Sequence, residues 1–218
     1  MVKAVIFDMD GVLVDSEIIY VKTFQQILEE YKIPCMQEDL YAIVGSSEER
    51  TIALLDQISN PILSGRELFD LVIRYHEEHP VDYASCIQKG VKETLQYLKE
   101  QKYKIGLASS SSKENILQVL GDCEIAEYFE VISSGYDFEE SKPNPEIYIT
   151  TMQKLGVCAK ECVVLEDSYY GILAAKRAGI HTVAKRDIHF GIDQSSADDM
   201  IDHVDDLIQV VKRLEENA

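Results

Sequence analysis

The stretch Val5-Ile6-Phe7-Asp8-Met9-Asp10-Gly11-Val12-Leu13-Val14-Asp15-Ser16 decides the fold of this chain. It continues an apolar, β-branched run from Val2 to Phe7, which predicts a buried strand. The run ends in Asp8 and Asp10. Two like charges 4 Å apart repel by about 4 kcal/mol at an effective dielectric of about 20. Such a pair is tolerated where a cation lies between the acids or where one acid keeps a proton, and both arrangements are useful in catalysis.

The rest of the chain divides into a helical block and an alternating block. Residues 16–81 show helical periodicity with no predicted strand, and Ser46-x-x-Glu49 and Ser64-x-x-Glu67 are capping-box patterns that predict helix starts. From residue 82 onward strands alternate with helices, which predicts a parallel sheet covered on both faces. We therefore predict an α/β fold, with a Rossmann-like core of residues 1–15 and 82–218. A helical cap domain, residues 16–81, is inserted after the first strand.

Composition limits the possible partners. The chain has 218 residues, 46% of them hydrophobic, and a formal net charge of −18. Such an acidic chain is not expected to bind nucleic acid or an anionic membrane surface, since both require a basic face. No apolar run approaches the roughly 20 residues of a membrane span. A small phosphorylated ligand stays possible, because a bound metal and local cations outweigh the global charge at short range.

The cysteines and the first residues indicate the compartment. The chain passes from Met1 directly into a strand, without the pattern of a signal peptide. Its five cysteines are scattered, and the spacing of Cys158 and Cys162 is not completed by a second pair or by histidines. We therefore predict reduced thiols, a cytoplasmic location and, given the acidic surface, a monomer.

Two further predicted strand ends carry polar side chains. Ser109 follows the strand 103–108 and precedes a helix, where a hydroxyl and backbone amides can bind phosphate oxygens. The neighbouring Ser111 and Ser112 are expected to cap that helix, which we predict to stop at Gly121. Glu166 and Asp167 close the strand 162–165. Helix capping accounts for one acid at that place but not for two, and paired carboxylates are ligands for a hard cation such as Mg²⁺.

A lysine is held in a stiff loop before another predicted helix. Lys142 lies in Ser141-Lys142-Pro143-Asn144-Pro145, where the prolines restrict the backbone. A lysine in such a loop is usually solvated. Because it joins three other polar clusters at or near strand ends, this one is a candidate for neutralising a phosphate and the acid that attacks it.

Together these segments resemble the four motifs of the haloacid dehalogenase superfamily. The resemblance covers Val5 to Gly179 and is nearest to the subgroup of β-phosphoglucomutase and sugar-phosphate phosphatases. It rests on Asp8-x-Asp10-Gly11, Leu107-Ala108-Ser109, Ser141-Lys142-Pro143 and Leu165-Glu166-Asp167-Ser168. It implies that Asp8 is a nucleophile and Asp10 a general acid and base. It also implies a phosphate site at Ser109, Ser110 and Lys142, and a Mg²⁺ site at Asp8, Asp10, Glu166 and Asp167.

The resemblance implies a Mg²⁺-dependent phosphatase that hydrolyses small phosphorylated metabolites, such as sugar phosphates, through an aspartyl-phosphate on Asp8. The alternative is a mutase of the β-phosphoglucomutase type, in which a cap arginine holds a second phosphate. Here Glu48 takes the place of that arginine and Arg50 lies two residues further on. Glu48 is also explained as a first-turn acid favoured by the helix dipole. Ser16, Tyr20, Glu48 and Arg50 are the cap candidates for contact with substrate.

Other classes of protein fit less well. A receiver-type signalling module also combines an acidic pair, a phosphorylatable aspartate, a serine or threonine and a lysine. It is, however, one domain of about 120 residues without a helical insertion after the first strand. A catalytically inactive binding protein is disfavoured because every catalytic position is filled. The chain has no Gly-x-x-x-x-Gly-Lys-Ser/Thr loop, which argues against a nucleotide kinase.

Overall fold

The computed structural model describes residues 1–216 and divides the chain into two compact units. The larger unit consists of Met1–Asp15 and the residues from Tyr83 onward, and the smaller unit is Ser16–Asp82. Asp82 therefore belongs with the helical block, one residue beyond the boundary set by the sequence pattern. The smaller unit is continuous in sequence, and it interrupts the larger one directly after the first strand.

The smaller unit is built from helices, and none of its residues, all of which are described, lies in a strand. Helix α3 packs against α4, and α4 packs against α1. Leu55 and Leu68 are completely buried within these helices. The four helices are α1 (Glu17–Glu30), α2 (Gln37–Tyr41), α3 (Glu48–Ser59) and α4 (Gly65–Glu78).

One of the two predicted capping boxes in this unit is present. The Ser64 hydroxyl oxygen accepts from the Glu67 amide at 3.2 Å, and the Ser64 amide donates to the Glu67 carboxylate at 2.8 Å. The box predicted at Ser46 is wrong. Ser47 caps α3 instead, accepting from the Arg50 amide, while the Ser46 hydroxyl donates to the carbonyl of Ile43 at 2.7 Å.

The larger unit is organised by one parallel sheet of six strands in the order β3-β2-β1-β4-β5-β6. This confirms the predicted α/β fold. The strands are β1 (Ala4–Phe7), β2 (Lys104–Ser109), β3 (Val131–Ser134), β4 (Cys162–Glu166), β5 (His181–Lys185) and β6 (Asp199–Ile201). The first strand in sequence is thus central, because the chain extends the sheet on one side through β2 and β3 and on the other through β4 to β6.

The register of the central strands aligns their polar ends. Phe7 pairs with Leu107 of β2 and with Leu165 of β4. The residues that come after Phe7, Leu107 and Leu165 therefore reach the same carboxyl edge of the sheet. Asp8 and Glu166 are brought together by this register alone.

Helices cover the sheet and close the hydrophobic core. They are α5 (Tyr83–Cys86), α6 (Val91–Glu100), α7 (Lys113–Asp122), α8 (Glu146–Leu155), α9 (Tyr169–Arg177) and α10 (Leu207–Glu216). One core cluster includes Ile6 and Val164 of the sheet with Tyr148 and Leu155 of α8. Helix α7 does not stop at Gly121 as predicted but continues to Asp122. Among the described residues, none of the helices combines the length and apolarity that a membrane span requires.

The two ends of the larger unit that flank the insertion are joined to each other. Val14 forms an antiparallel bridge with Ile87. The Asp15 amide donates to the Cys86 carbonyl, and the Gln88 amide donates to the Leu13 carbonyl, both at 2.8 Å. The chain therefore leaves and re-enters this unit at one place.

Candidate active site

The site is built around Asp8, at the end of the central strand. The Asp8 amide donates to the Leu165 carbonyl at 3.0 Å, which continues the ladder between β1 and β4 for one more residue. The Asp8 side chain is buried, and its Oδ1 lies 2.6 Å from Lys142 Nζ. Burial raises the pKa of the Asp8 carboxyl above its usual range, and the Lys142 ammonium opposes this shift without cancelling it. A further cation beside Asp8 would therefore favour its ionised form.

Lys142 is held by three oxygen atoms. Its ammonium donates to Asp8 Oδ1 at 2.6 Å, to Glu166 Oε1 at 2.7 Å and to the Ala108 carbonyl at 3.0 Å. These contacts match the three protons of an ammonium group. Burial alone would lower the pKa of Lys142, but the carboxylates of Asp8 and Glu166 outweigh burial and raise it well above its usual range. Lys142 therefore stays charged, with its position fixed by β1, β2 and β4 together.

Glu166 is completely buried, and both its oxygens are engaged. Oε1 accepts from Lys142 and from the Tyr148 hydroxyl, the latter at 2.9 Å. Oε2 accepts from the amides of Asp167 and Ser168 and from the Ser168 hydroxyl, at 2.9–3.0 Å. Burial would raise the pKa of Glu166, but Lys142 and the other donors outweigh it and lower the pKa. Glu166 therefore holds Lys142 and shapes the turn into α9.

Tyr148 is a part of this site that the sequence analysis missed. Tyr148 lies in the predicted helix that follows Pro145, and the sequence pattern gives it no functional role. A fully buried tyrosine does carry a signal, because its hydroxyl must find a hydrogen-bond partner inside the protein. The sequence cannot show that the partner is Glu166, which lies on a different element.

Asp8, Glu166 and Asp167 form a buried acidic cluster, with one carboxylate oxygen from each lying within 4.8 Å of the others. Gly11 packs directly against it. A Cβ atom built on Gly11 would lie 1.8 Å from Asp167 Oδ2, and the Gly11 backbone has a φ of +75°. Space and conformation therefore both require glycine after Asp10.

Gln194 supports the cluster from the segment that follows β5, and it too was missed. Its Nε2 donates to the Asp167 carbonyl at 2.6 Å and to the Lys185 carbonyl at 2.7 Å. Its Oε1 accepts from the Asp187 amide at 3.0 Å. A buried amide with all these bonds ties the ends of β4 and β5 together.

The serines at and after the end of β2 have different contacts, and only Ser111 is hydrogen-bonded to Asp10. Ser109 is buried, and its hydroxyl oxygen accepts from the Ser111 amide at 3.1 Å. Ser110 is half-buried, and its backbone lies 3.0 Å from where a Cβ on Gly135 would stand. The Ser111 hydroxyl donates to Asp10 Oδ2 at 2.9 Å. The predicted capping role of Ser111 is wrong, since Ser112 accepts from the Asn115 amide and caps α7 alone.

The four cap candidates lie in the helical unit. Ser16 is buried and directly precedes α1, and the Tyr20 ring packs against that of His76 at a tilt of 59°, with ring centroids 4.7 Å apart. Glu48 forms an ion pair with Arg66 at 2.9 Å. Arg50 is exposed in the first turn of α3. Within this unit Glu48 is thus a first-turn acid paired with an arginine of the next helix.

Comparison with known proteins identifies the family. The model of the haloacid dehalogenase-like hydrolase family matches residues 5–185. The chain belongs to this family. As a haloacid dehalogenase-like hydrolase it is an enzyme, and the match spans every core segment on which the resemblance rested.

Individual relatives of this hydrolase carry phosphatase names. It is 34% identical over 183 residues to a phosphorylated carbohydrates phosphatase of Thermotoga maritima, and the match covers 83% of each chain. It is 26% identical to a pyrophosphatase of Bacillus cereus, covering 96% of each chain. The crystal structure of β-phosphoglucomutase from Clostridium difficile superposes with a TM-score of 0.81 at 22% identity, covering 100% of this chain and 99% of the other. That last likeness confirms the fold.

Proposed function

We propose that this hydrolase is a Mg²⁺-dependent phosphatase of small phosphorylated metabolites, with sugar phosphates as its substrates and Asp8 as its nucleophile. One observation carries the proposal: Asp8 is a buried carboxylate at the central strand end, fixed by Lys142 beside a second acidic pair. The name of the Thermotoga relative supports the carbohydrate part of the proposal.

Each residue of the site has its own role in the proposed reaction. An oxygen of Asp8 attacks phosphorus and forms an aspartyl-phosphate, while the bond from phosphorus to the leaving oxygen breaks. Asp10 gives a proton to that oxygen and later takes one from the water that hydrolyses the aspartyl-phosphate. Ser109 and the amides of the Ser110 turn bind the phosphate oxygens, and the Lys142 ammonium offsets their negative charge. The dense bonding around Glu166 keeps Lys142 in place through both steps.

The donor set suits a magnesium ion. Asp8 and Asp167 offer carboxylate oxygens in the acidic cluster, which are the ligands a hard cation prefers. The family resemblance adds Asp10 as a further ligand. Glu166 lines the same cluster, but its two oxygens already accept five hydrogen bonds, so we assign it to positioning. When bound, the ion supplies positive charge that offsets the repulsion between Asp8 and a phosphate.

The mutase alternative is not favoured. It requires a cationic side chain at the position of Glu48, and Glu48 is instead paired with Arg66 inside the helical unit. Glu48 therefore supplies no positive charge for a second phosphate. The likeness to β-phosphoglucomutase concerns the fold at 22% identity and does not extend to the reaction.

A phosphate-release assay with Mg²⁺ tests the proposal. The panel is glucose 6-phosphate, β-glucose 1-phosphate, ribose 5-phosphate and inorganic pyrophosphate, with glucose 6-phosphate formation from β-glucose 1-phosphate followed in parallel. We expect free phosphate from a sugar monophosphate without isomerisation. Asp8→Asn should abolish turnover, whereas Asp122→Asn, the same change on an exposed residue of α7, should not. An active Asp8→Asn enzyme, or isomerisation with little free phosphate, would refute the proposal.

A further inference from the structure

Ser111 is fixed at each of its polar groups. Its amide donates to Ser109 Oγ at 3.1 Å, and its hydroxyl donates to Asp10 Oδ2 at 2.9 Å. Its carbonyl accepts from the hydroxyl of Ser134 at 2.7 Å, and Ser134 is completely buried at the end of β3. The residue is thus held between a phosphate-site serine, the acid–base candidate and the sheet.

The helix that follows does not need the Ser111 hydroxyl. Ser112 has the extended backbone of an N-cap and accepts from the Asn115 amide, which satisfies one of the open donors of α7. The hydroxyl of Ser111 instead reaches a carboxylate that is 101 positions earlier in the sequence. That contact joins the segment after β2 to the segment after β1, at the carboxyl edge of the sheet.

A hydrogen bond to one carboxylate oxygen restricts the carboxylate as a whole. Asp10 Oδ2 cannot turn away without breaking its bond to the Ser111 hydroxyl, so the direction of the other oxygen is restricted as well. When Asp10 transfers its proton to the leaving oxygen it becomes negative, and hydrogen bonds to an ionised acceptor are roughly twice as strong as neutral ones. The Ser111 contact therefore strengthens as the proton leaves.

We propose that Ser111 is a positioning residue for Asp10, which aims its carboxyl at the leaving oxygen and stabilises the carboxylate formed there. This inference rests on the proposed phosphatase function. In the step concerned, the bond between Asp8 and phosphorus forms, the bond to the leaving oxygen breaks, and the proton passes from Asp10 to that oxygen. Ser111 itself neither gains nor loses a proton.

Leaving groups of different basicity test this role. A sugar alkoxide must be protonated as it leaves, whereas p-nitrophenolate leaves readily as an anion. The value of kcat/KM reports the first phosphoryl transfer, so it isolates the protonation of the leaving oxygen. Because general acid catalysis is worth about 10²–10⁴-fold, we expect Ser111→Ala to lower kcat/KM for the best sugar monophosphate of the panel at least about tenfold, and for p-nitrophenyl phosphate less than about threefold.

Two further variants separate positioning from folding. Ser111→Thr keeps the hydroxyl, so it should restore most of the kcat/KM for the sugar monophosphate that Ser111→Ala loses. Ser112→Ala removes the neighbouring helix cap, so it should lower the temperature of unfolding while leaving the ratio of the two kcat/KM values unchanged. An equal loss on both substrates, no loss on either, or a Ser111→Thr enzyme as impaired as Ser111→Ala would overturn the inference. A wild-type enzyme that hydrolyses neither substrate would instead refute the phosphatase function itself.

Discussion

Replacing Gly171 with alanine is expected to displace Glu166 and to destabilise the protein severely. Gly171 lies in the first turn of α9, and a Cβ atom built there would be 1.5 Å from Glu166 Oε1. Ordinary contact begins near 3.4 Å, so Oε1 must move by roughly 2 Å. A displacement of that size breaks its bonds to Lys142 and Tyr148.

The magnitude follows from the bonds that are lost. Hydrogen bonds to a charged group contribute about 1.5–3 kcal/mol each, so losing two costs about 3–6 kcal/mol. Removing a glycine from a helix returns roughly 0.5–1 kcal/mol. The net loss of about 2–5 kcal/mol is a large fraction of the 5–15 kcal/mol typical of a folded domain. Because Lys142 loses a partner as well, activity should fall even in the molecules that stay folded.

Urea unfolding of Gly171→Ala and Gly121→Ala measures this difference. Gly121 is also inside a helix, and a Cβ built there meets nothing within 4 Å. We expect Gly121→Ala to match the wild type or to be more stable by up to about 1 kcal/mol. A Gly171→Ala protein with wild-type stability and wild-type phosphate release would show that Glu166 is not confined as described.

Three more outcomes are expected. Chelation with EDTA should abolish activity and Mg²⁺ should restore it, with a rise in the temperature of unfolding that Asp167→Asn lacks; activity that survives chelation would argue against the acidic cluster as a metal site. The Lys3 side chain lowers the pKa of Glu161 from the usual 4.5 to about 2. The stability that this ion pair contributes is therefore fully present above pH 4.5 and is lost as the pH falls towards 2. The difference in unfolding temperature between wild type and Glu161→Gln should therefore vanish as the pH falls from 4.5 towards 2, and a constant difference would contradict this. At pH 8 iodoacetamide should modify the exposed Cys158 long before the buried Cys162, whose pKa burial raises to about 12; peptide mass mapping checks the order, and equal rates would contradict it.

The sequence predicts the backbone of the site well because parallel strands deliver their carboxyl ends to one edge. Asp8 directly follows β1, while Ser109 and Glu166 are the last residues of β2 and β4, and the observed register brings these strand ends to the same level. Lys142 is harder to place from sequence, since it lies in a loop rather than at a strand end. Its position depends on three acceptors supplied by three different strands.

The parts that sequence reasoning missed share one property. Tyr148, Gln194 and Ser111 each reach the site through a hydrogen bond to a residue on a different element of the chain. Residues 109–112 are four consecutive serines, so nothing in their composition distinguishes the proposed phosphate site from the contact to Asp10 and the helix cap. The path of the backbone out of β2 assigns these roles, and a shift of one residue would exchange them. The same one-residue ambiguity caused the error at Ser46 and Ser47.

The bridge between Val14 and Ile87 lets the inserted helical unit be replaced without disturbing the larger unit. The insertion forms a long loop whose two ends are hydrogen-bonded to each other within the larger unit. These contacts of the larger unit, and not those of the inserted sequence, offset the entropy cost of closing the loop. Helical segments of different length and composition can therefore be grafted between Asp15 and Tyr83 without altering the register of the sheet. Exchange of the segment between these two points should leave the sheet edge that carries Asp8, Lys142 and Glu166 intact.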